Sequence, residues 1–160
     1  MNKAITIALA ALGLSLAAVS IPARADGPAP PARCMLRVVH ALPGEGGMDP
    51  AITRLRAWLQ NPPFNQWKSF KLLSEKDQEI RPGGNAHYLL PNGKDAVVTY
   101  TEHKNNDKKH TVRGIFQIES ARGATMKTAF SLDEGGILMN AGEAFNRGTL
   151  IYALSCKTED

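Results

Sequence analysis

The pattern of apolar and polar positions predicts a chain built mainly of strands. The final stretch, 148–156, is apolar, nearly uncharged and β-branched at its start, which is typical of a strand buried on both faces. Such a strand has to lie inside a sheet formed by earlier residues. The first candidate strand, 35–42, directly follows Cys34. We therefore expect the first and last strands to belong to one sheet.

One short amphipathic helix is predicted after the first strand. Asp49 can accept hydrogen bonds from free backbone N–H groups, and Pro50 fits the first helical position, where a missing N–H costs nothing. Ile52, Leu55 and Leu59 then recur at intervals of three and four residues, and two prolines end the helix. Its apolar stripe is expected to cover one face of the sheet.

A return strand is predicted at 67–73, after the helix. With the first strand it makes a β-α-β unit, whose crossover is long enough for two parallel neighbouring strands or for a split arrangement. The remaining pattern is β throughout. It predicts strands at 78–80, 86–90, 96–103, 109–118, 125–132 and 137–141, and a loop at 142–148.

Strands 96–103 and 109–118 are predicted to form a hairpin about Asn106-Asp107, two residues that tolerate left-handed turn geometry. In that register one face carries the pairs Val97–Phe116, Thr101–Val112 and His103–His110. The other face carries the pairs Tyr100–Arg113 and Val98–Ile115.

These elements predict a single α+β domain at 34–160. One amphipathic helix packs on a mainly antiparallel β-sheet, or on a partly closed β-sandwich. Residues 26–33 are rich in proline and alanine and are expected to form a flexible leader.

The first 25 residues have the pattern of a signal peptide. Lys3 supplies positive charge, 4–19 is an apolar run, and Ala23-Arg24-Ala25 is a small-x-small cleavage site, so the mature chain should begin at Asp26. An uncleaved anchor is the alternative, but the apolar run is short for a bilayer span. We expect a periplasmic or secreted protein with no integral membrane segment after cleavage.

Cleavage changes the charge balance. Lys3 and Arg24 leave with the signal peptide, so 17 basic residues remain against 15 acidic ones and the net charge falls from +4 to +2. The chain has no basic stripe with interleaved aromatic residues, and we expect no nucleic-acid partner.

Two cysteines in an exported chain are candidates for a disulfide. Cys34 and Cys156 flank nearly the whole domain, and closing so long a loop would stabilise it by about 4–5 kcal/mol in the chain-entropy account. A reactive thiol pair is the alternative, but it lacks the Cys-x-x-Cys spacing and a nearby activating base. The bond requires the first and last strands to be neighbours.

The histidines are the candidates for a metal or catalytic site. His103 and His110 could share Zn²⁺ or Cu²⁺, but no third ligand accompanies them and three lysines surround them, so a solvated hairpin tip is favoured. His40 could act as a general base. A partly buried, hydrogen-bonded histidine is favoured there, because no positioned nucleophile is apparent. No metal or cofactor is predicted.

The predicted loop before the last strand has mixed chemistry. Glu143, Phe145, Asn146 and Arg147 lie there between glycines, and an exposed phenylalanine beside an arginine can anchor an interface. The alternative is that Phe145 folds back onto the sheet.

The placed elements resemble those of a loose group of small exported bacterial proteins of unknown function. The shared pattern runs from Val38-Val39-His40-Ala41 through a glycine-rich loop to Met48-Asp49-Pro50, then Ser-Phe-Lys-Leu-Leu at 69–73, Leu-Pro-Asn-Gly at 90–93 and Gly-Thr-Leu-Ile at 148–151. It covers most of the mature region. The resemblance implies a fold and no particular activity, since the group has no catalytic residues to carry over, and the paired cysteines are not taken from it.

Three functions remain open. The first is an exported, non-enzymatic interaction or scaffold module, an accessory of an envelope-spanning secretion or motility machine whose partner is another envelope protein. It rests on export, small size and the lack of Gly-x-Ser-x-Gly, His-Glu-x-x-His and phosphate-loop motifs. The alternatives are a binder of a small ligand or glycan through Tyr100, Arg113 or the 140–147 segment, and a hydrolase using His40 or the His103/His110 pair.

Overall fold

The computed structural model describes residues 28–106, 109–120 and 123–158. The predicted signal peptide and the first two leader residues lie outside these ranges, as does Asp107 of the predicted hairpin turn. Within the described ranges, no helix is long and apolar enough to cross a membrane.

Two β-sheets pack face to face. The strands are β1 Ala32–Leu42, β2 Gly47–Met48, β3 Ser69–Ile80, β4 Asn85–Leu89, β5 Asp95–Asn106, β6 Lys109–Ser120, β7 Gly123–Asp133, β8 Leu138–Phe145 and β9 Gly148–Thr158. Sheet A has the order β2-β3-β1-β9-β8, and sheet B has the order β4-β5-β6-β7. The pairs are antiparallel except for the short parallel contact between β2 and β3. With the helical segment on sheet A, this confirms the predicted α+β sandwich.

The helical segment begins as the sequence predicts and then departs from a regular helix. The Asp49 carboxylate accepts a hydrogen bond from the Ala51 N–H at 2.9 Å, and a proline follows the cap. Residues Pro50–Leu55 form 3₁₀ turns with a kink at Ile52, whose dihedrals are non-helical, and α1 is the single turn Arg56–Leu59. A second 3₁₀ turn, Phe64–Gln66, leads into β3.

Sheet A separates two apolar cores. Alternate residues of β9, Leu150, Tyr152 and Leu154, face sheet B, while Ile151 and Ala153 face the helical segment, and all five are buried. The predicted helical stripe of Ile52, Leu55 and Leu59 is fully buried in the second core. The prediction that the last strand is buried on both faces is therefore confirmed.

The first and last strands are neighbours, as the disulfide requires. Cys34 lies opposite Cys156 in the β1–β9 pairing, and their sulfur atoms are at bonding distance, 2.09 Å. Both side chains are buried in the core between the sheets. The predicted Cys34–Cys156 bridge is present in the structure.

The predicted β-α-β crossover is wrong. β1 and β3 are direct antiparallel neighbours, and β3 merges the two strands predicted at 67–73 and 78–80. The helical segment is too short to carry the chain back along the sheet. The chain re-enters where it left, as the 3.0 Å hydrogen bond from the Lys68 N–H to the Leu42 carbonyl shows.

The strand β1 begins at Ala32, so the last two residues of the predicted leader belong to the sheet. The hydroxyl of Tyr100 also donates a hydrogen bond to the Pro30 carbonyl at 3.1 Å. The end of the leader is therefore held against the fold.

The predicted register of the β5–β6 hairpin is wrong by two residues next to the turn and by one residue beyond Thr101. Asn106 pairs with Lys109, and from there a bulge at Thr101 divides the ladder into two registers. The predicted pairs Val97–Phe116, Thr101–Val112, His103–His110, Tyr100–Arg113 and Val98–Ile115 are replaced by Val97–Gln117, Val98–Phe116, Tyr100–Gly114, Glu102–Arg113, His103–Val112 and Asn105–His110. A shift of one residue exchanges the two faces, and the observed register buries Val98, Tyr100 and Phe116 together.

The predicted loop at 142–148 is mostly strand. β8 continues to Phe145, and only Asn146 and Arg147 form the turn into β9. Both have positive φ, 42° and 63°, which a two-residue type I′ hairpin turn requires. Asparagine tolerates this conformation, and the long β9 ladder holds arginine in it.

Candidate functional site

A cleft of about 400 Å³ opens between the helical segment and the β2–β3 edge of sheet A. Its volume falls within the usual range of small-ligand pockets, about 300–1,000 Å³. The apolar part of the lining comes from Met48, Leu59, Trp67 and Phe70. Leu59 and Phe70 are buried, whereas Met48 and Trp67 are half-buried and reachable from solvent.

Local chemistry fixes the walls of the cleft. Asp49 accepts a second hydrogen bond, from the Leu72 N–H at 3.2 Å, and so ties the start of the helical segment to β3. Gly47 has φ of 71°, which lets the chain turn from the β1–β2 loop into the edge strand. The Trp67 N–H bonds the Phe64 carbonyl at 3.2 Å and holds the second 3₁₀ turn against the mouth of the cleft.

The rim of the cleft carries positive charge. Arg56, Gln60, Asn65 and Lys68 complete its polar lining, and no lining residue is acidic. Within the described part of the chain, neither Arg56 nor Lys68 forms an ion pair. The Lys68 ammonium donates only to the Asn65 carbonyl, at 3.3 Å. The rim therefore has two cationic side chains without carboxylate partners.

Two arginines elsewhere on the helix-side face of sheet A have carboxylate partners. Beyond the helical segment, Arg33 pairs with Asp77 at 2.7 Å, and the buried Arg37 pairs with Glu75 at 2.5 Å. Each of these arginines already has a carboxylate on the neighbouring strand. At the cleft, in contrast, Arg56 and Lys68 have no carboxylate partner among the described residues.

His40 is a structural residue. Its side chain is 9% exposed, and its Nε2–H donates to the Phe145 carbonyl at 2.9 Å. The Phe145 ring packs edge-on against the imidazole with centroids 5.5 Å apart. A Cβ on Gly148 would lie 2.7 Å from the imidazole Nε2, so only glycine fits beside it. The hydrogen-bonded alternative is the one observed, and Nε2 is not free to act as a base.

The predicted interaction residues at the β8–β9 turn do not form an exposed anchor. Phe145 is half-buried and packs against the core and His40, as the alternative predicted. Glu143 forms an ion pair with Lys94 of the β4–β5 turn, across the two sheets. Asn146 and Arg147 are exposed at the turn itself.

Tyr100 and Arg113, the other predicted ligand contacts, are not brought together. Tyr100 is fully buried, and burial raises the pKa of its hydroxyl. Arg113 lies on the outer face of sheet B, where it pairs with Glu102 at 3.2 Å. His103 and His110 do come together, by a different register from the predicted one.

Sequence reasoning missed the cleft. Its residues come from β2, from α1 and the residue after it, from the second 3₁₀ turn and the two residues after it, and from β3, and the sequence signal for it is weak. Trp67-Lys68 was assigned to a strand, although both residues precede β3. The sequence feature that points to the cleft is Trp67-Lys68, an aromatic residue and a lysine that follow the double proline at 62–63.

No family model, curated protein or solved structure matches the chain. The resemblance to small exported bacterial proteins therefore stays a prediction.

Proposed function

We propose that this protein is an exported, non-enzymatic binding module that serves as an accessory of an envelope-spanning secretion or motility machine. It binds an acidic segment of another envelope protein in the cleft between the helical segment and the β2–β3 edge. The observation that carries the proposal is the apolar, Trp67-containing floor beneath Arg56 and Lys68, two cations without carboxylate partners.

Charge complementarity identifies the occupant. A carboxylate brought to Arg56 or Lys68 forms charge-assisted hydrogen bonds and meets no acidic side chain in the lining. An apolar side chain of the same segment can pack on Trp67 and Met48, since aromatic and methionine surfaces are common anchors at interfaces. The expected ligand is a short stretch with one or two carboxylates beside an apolar residue.

Export is supported by the cysteine pair together with the N-terminal pattern. Disulfides persist in oxidising compartments such as the periplasm, and the Cys34–Cys156 bond is buried within the fold. Mass analysis of the protein purified from cell fractions tests this step. We expect a mature chain beginning at Asp26 outside the cytoplasm, and an intact Met1 terminus in the cytoplasm would contradict export.

The cleft is tested with matched charge reversals. The mature protein is immobilised, exposed to envelope extract, and any retained protein is identified and purified for direct binding measurements. We expect the R56E/K68E variant to lose binding and added salt to weaken it. Lys127→Glu is the control, because Lys127 is an exposed lysine on the outer face of sheet B. Equal binding by R56E/K68E, or no stable partner, would reject the proposal.

A small-ligand or glycan binder is the second candidate. Gln60 and Asn65 place amide groups beside Trp67 in the same cleft, and sugars are often held by an aromatic face with flanking amides. Titration of neutral saccharides, followed by tryptophan fluorescence, distinguishes the two. A saccharide whose binding is lost in Trp67→Ala and retained in R56E/K68E would favour this function over the first.

A further inference from the structure

The β5–β6 hairpin brings two histidines face to face. The bulge at Thr101 pairs His103 with Val112 and Asn105 with His110, so the two histidines lie diagonally on one face of the hairpin. Their rings are 21° from parallel with centroids 5.4 Å apart. The His110 Nδ1 and the His103 Nε2 are 3.3 Å apart, and one donates its hydrogen to the other.

We propose that His103 and His110 form a two-imidazole site for a divalent transition metal, with Cu²⁺ bound most tightly and Zn²⁺ more weakly. Two imidazole nitrogens on one ion at metal–nitrogen distances of about 2.0–2.1 Å lie about 2.9–3.4 Å apart, for angles from square-planar to tetrahedral. The observed separation already falls in that range. On binding, the donating imidazole moves its hydrogen to its other ring nitrogen, and both rings rotate so that the two lone pairs point at the ion.

The sequence places three lysines near the two histidines, and their positive charge would disfavour a cation. In the folded hairpin this repulsion is weaker. Lys104 lies 4.0 Å from Glu102, and Lys109 lies 2.6 Å from Asp133, so both ammonium groups have carboxylates near them. Strand alternation also places Lys104 and Lys109 on the face opposite the imidazoles, on the side of Thr111 and Asp133. Lys108, the third lysine, lies outside the described residues.

The ligand count determines what kind of site this is. Within the described ranges, no group of three or more histidine, cysteine, aspartate or glutamate side chains converges on one point. The protein supplies two nitrogens, and water or a small anion fills the other positions. Both imidazoles are half-buried and can be reached by a hydrated ion. This arrangement suits reversible binding, and the Irving–Williams order places Cu²⁺ above Zn²⁺.

The test is a titration of the mature, tag-free, disulfide-bonded protein with Cu²⁺, followed by calorimetry and electron paramagnetic resonance. We expect one equivalent to bind with hyperfine coupling to two nitrogens. His103→Gln and His110→Gln should each lower the affinity about tenfold or more, because a single imidazole remains. The double variant H103Q/H110Q measures background binding by the N-terminal amine.

His87→Gln is the matched control, since His87 is a solvent-exposed histidine of sheet B, 3.8 Å from Asp95. It should bind Cu²⁺ like the wild type. Stoichiometric binding that persists in H103Q/H110Q, or that is lost equally in His87→Gln, would overturn the proposal. Absence of binding by the wild type would also overturn it and leave the histidine pair as a hydrogen bond alone. Circular dichroism of each variant checks that the hairpin substitutions leave the fold intact.

Discussion

At one end of the sandwich, the first and last strands are joined by the Cys34–Cys156 disulfide, whereas at the other end β1 meets the β8–β9 turn through His40 and Phe145. We call these the disulfide end and the turn end. The β5–β6 hairpin tip belongs to the disulfide end. The Glu134 N–H of the β7–β8 turn donates a hydrogen bond to the His110 carbonyl at 3.2 Å, which ties the hairpin tip to that turn. Gly135 of the same turn lines a cavity together with Cys156.

The two ends use the same residue type for different purposes. At the turn end, His40 is enclosed, and its one hydrogen bond is made to the backbone. At the disulfide end, His103 and His110 remain half-exposed, and in the described structure their imidazoles form a hydrogen bond with each other. The disulfide joins β1 and β9 covalently at this end, and the two imidazoles are the side chains to which we assign the proposed metal site. At the turn end, the His40 imidazole is already engaged by the Phe145 carbonyl.

The largest expected effect is at the disulfide end. The bond closes a loop with a sequence separation of 122 residues, and its removal in C34A/C156A should lower the free energy of unfolding by about 4–5 kcal/mol on the chain-entropy account. Urea unfolding followed by circular dichroism measures this for the oxidised wild type and the variant. A loss below about 1 kcal/mol would mean that β1 and β9 hold together without the bond, and the contrast between the ends would fail.

A smaller effect is expected at the turn end. His40→Ala removes a hydrogen bond to the Phe145 carbonyl and the ring contact with Phe145, and leaves a cavity between β1 and the turn. We expect a loss of about 2–3 kcal/mol in the free energy of unfolding. The exposed His87→Ala serves as control and should change stability by less than about 0.5 kcal/mol. Equal effects of the two substitutions would show that His40 does not hold this end.

Local sequence signals predicted the elements whose chemistry is local. The apolar run of β9 and the Asp49 cap each need only a few neighbouring residues, and both are observed. The pairing of Cys34 with Cys156 followed from compartment and from the burial of the strands that carry them. These features depend little on where the rest of the chain goes.

Features that depend on a single residue of register or on distant segments could not be predicted. The β5–β6 turn lies one residue later than predicted, which moves the register by two residues, and the bulge at Thr101 takes one of these back, so the two faces are exchanged beyond it. The cleft joins Met48, Arg56 and Trp67 from separate segments. Which cations of this face gain a carboxylate, as Arg33 and Arg37 do, depends on cross-strand pairing that no local sequence pattern encodes.

The smallest effect at neutral pH concerns Tyr152, whose hydroxyl lies toward the turn end. Burial, and then the charge of Glu143, raises the pKa of Tyr152 to about 12, against a lowering influence of Asn92. The folded state thus favours the neutral phenol. Its contribution to stability is complete below the unfolded pKa of about 10 and is lost as the pH rises through the folded pKa.

Tyr152→Phe removes the ionising group while retaining the ring that packs on Phe116, so we expect it to change stability by less than about 1 kcal/mol at neutral pH. At pH values above the unfolded tyrosine pKa, the wild type should lose stability faster than the variant. Tyr88 and Tyr100, whose pKa values are also raised by burial, are common to both proteins and cancel in the difference. Urea midpoints of the two proteins measured at neutral and alkaline pH give this difference directly. If it does not change with pH, Tyr152 is not held neutral by the core, and the turn end is more open to water than its packing indicates.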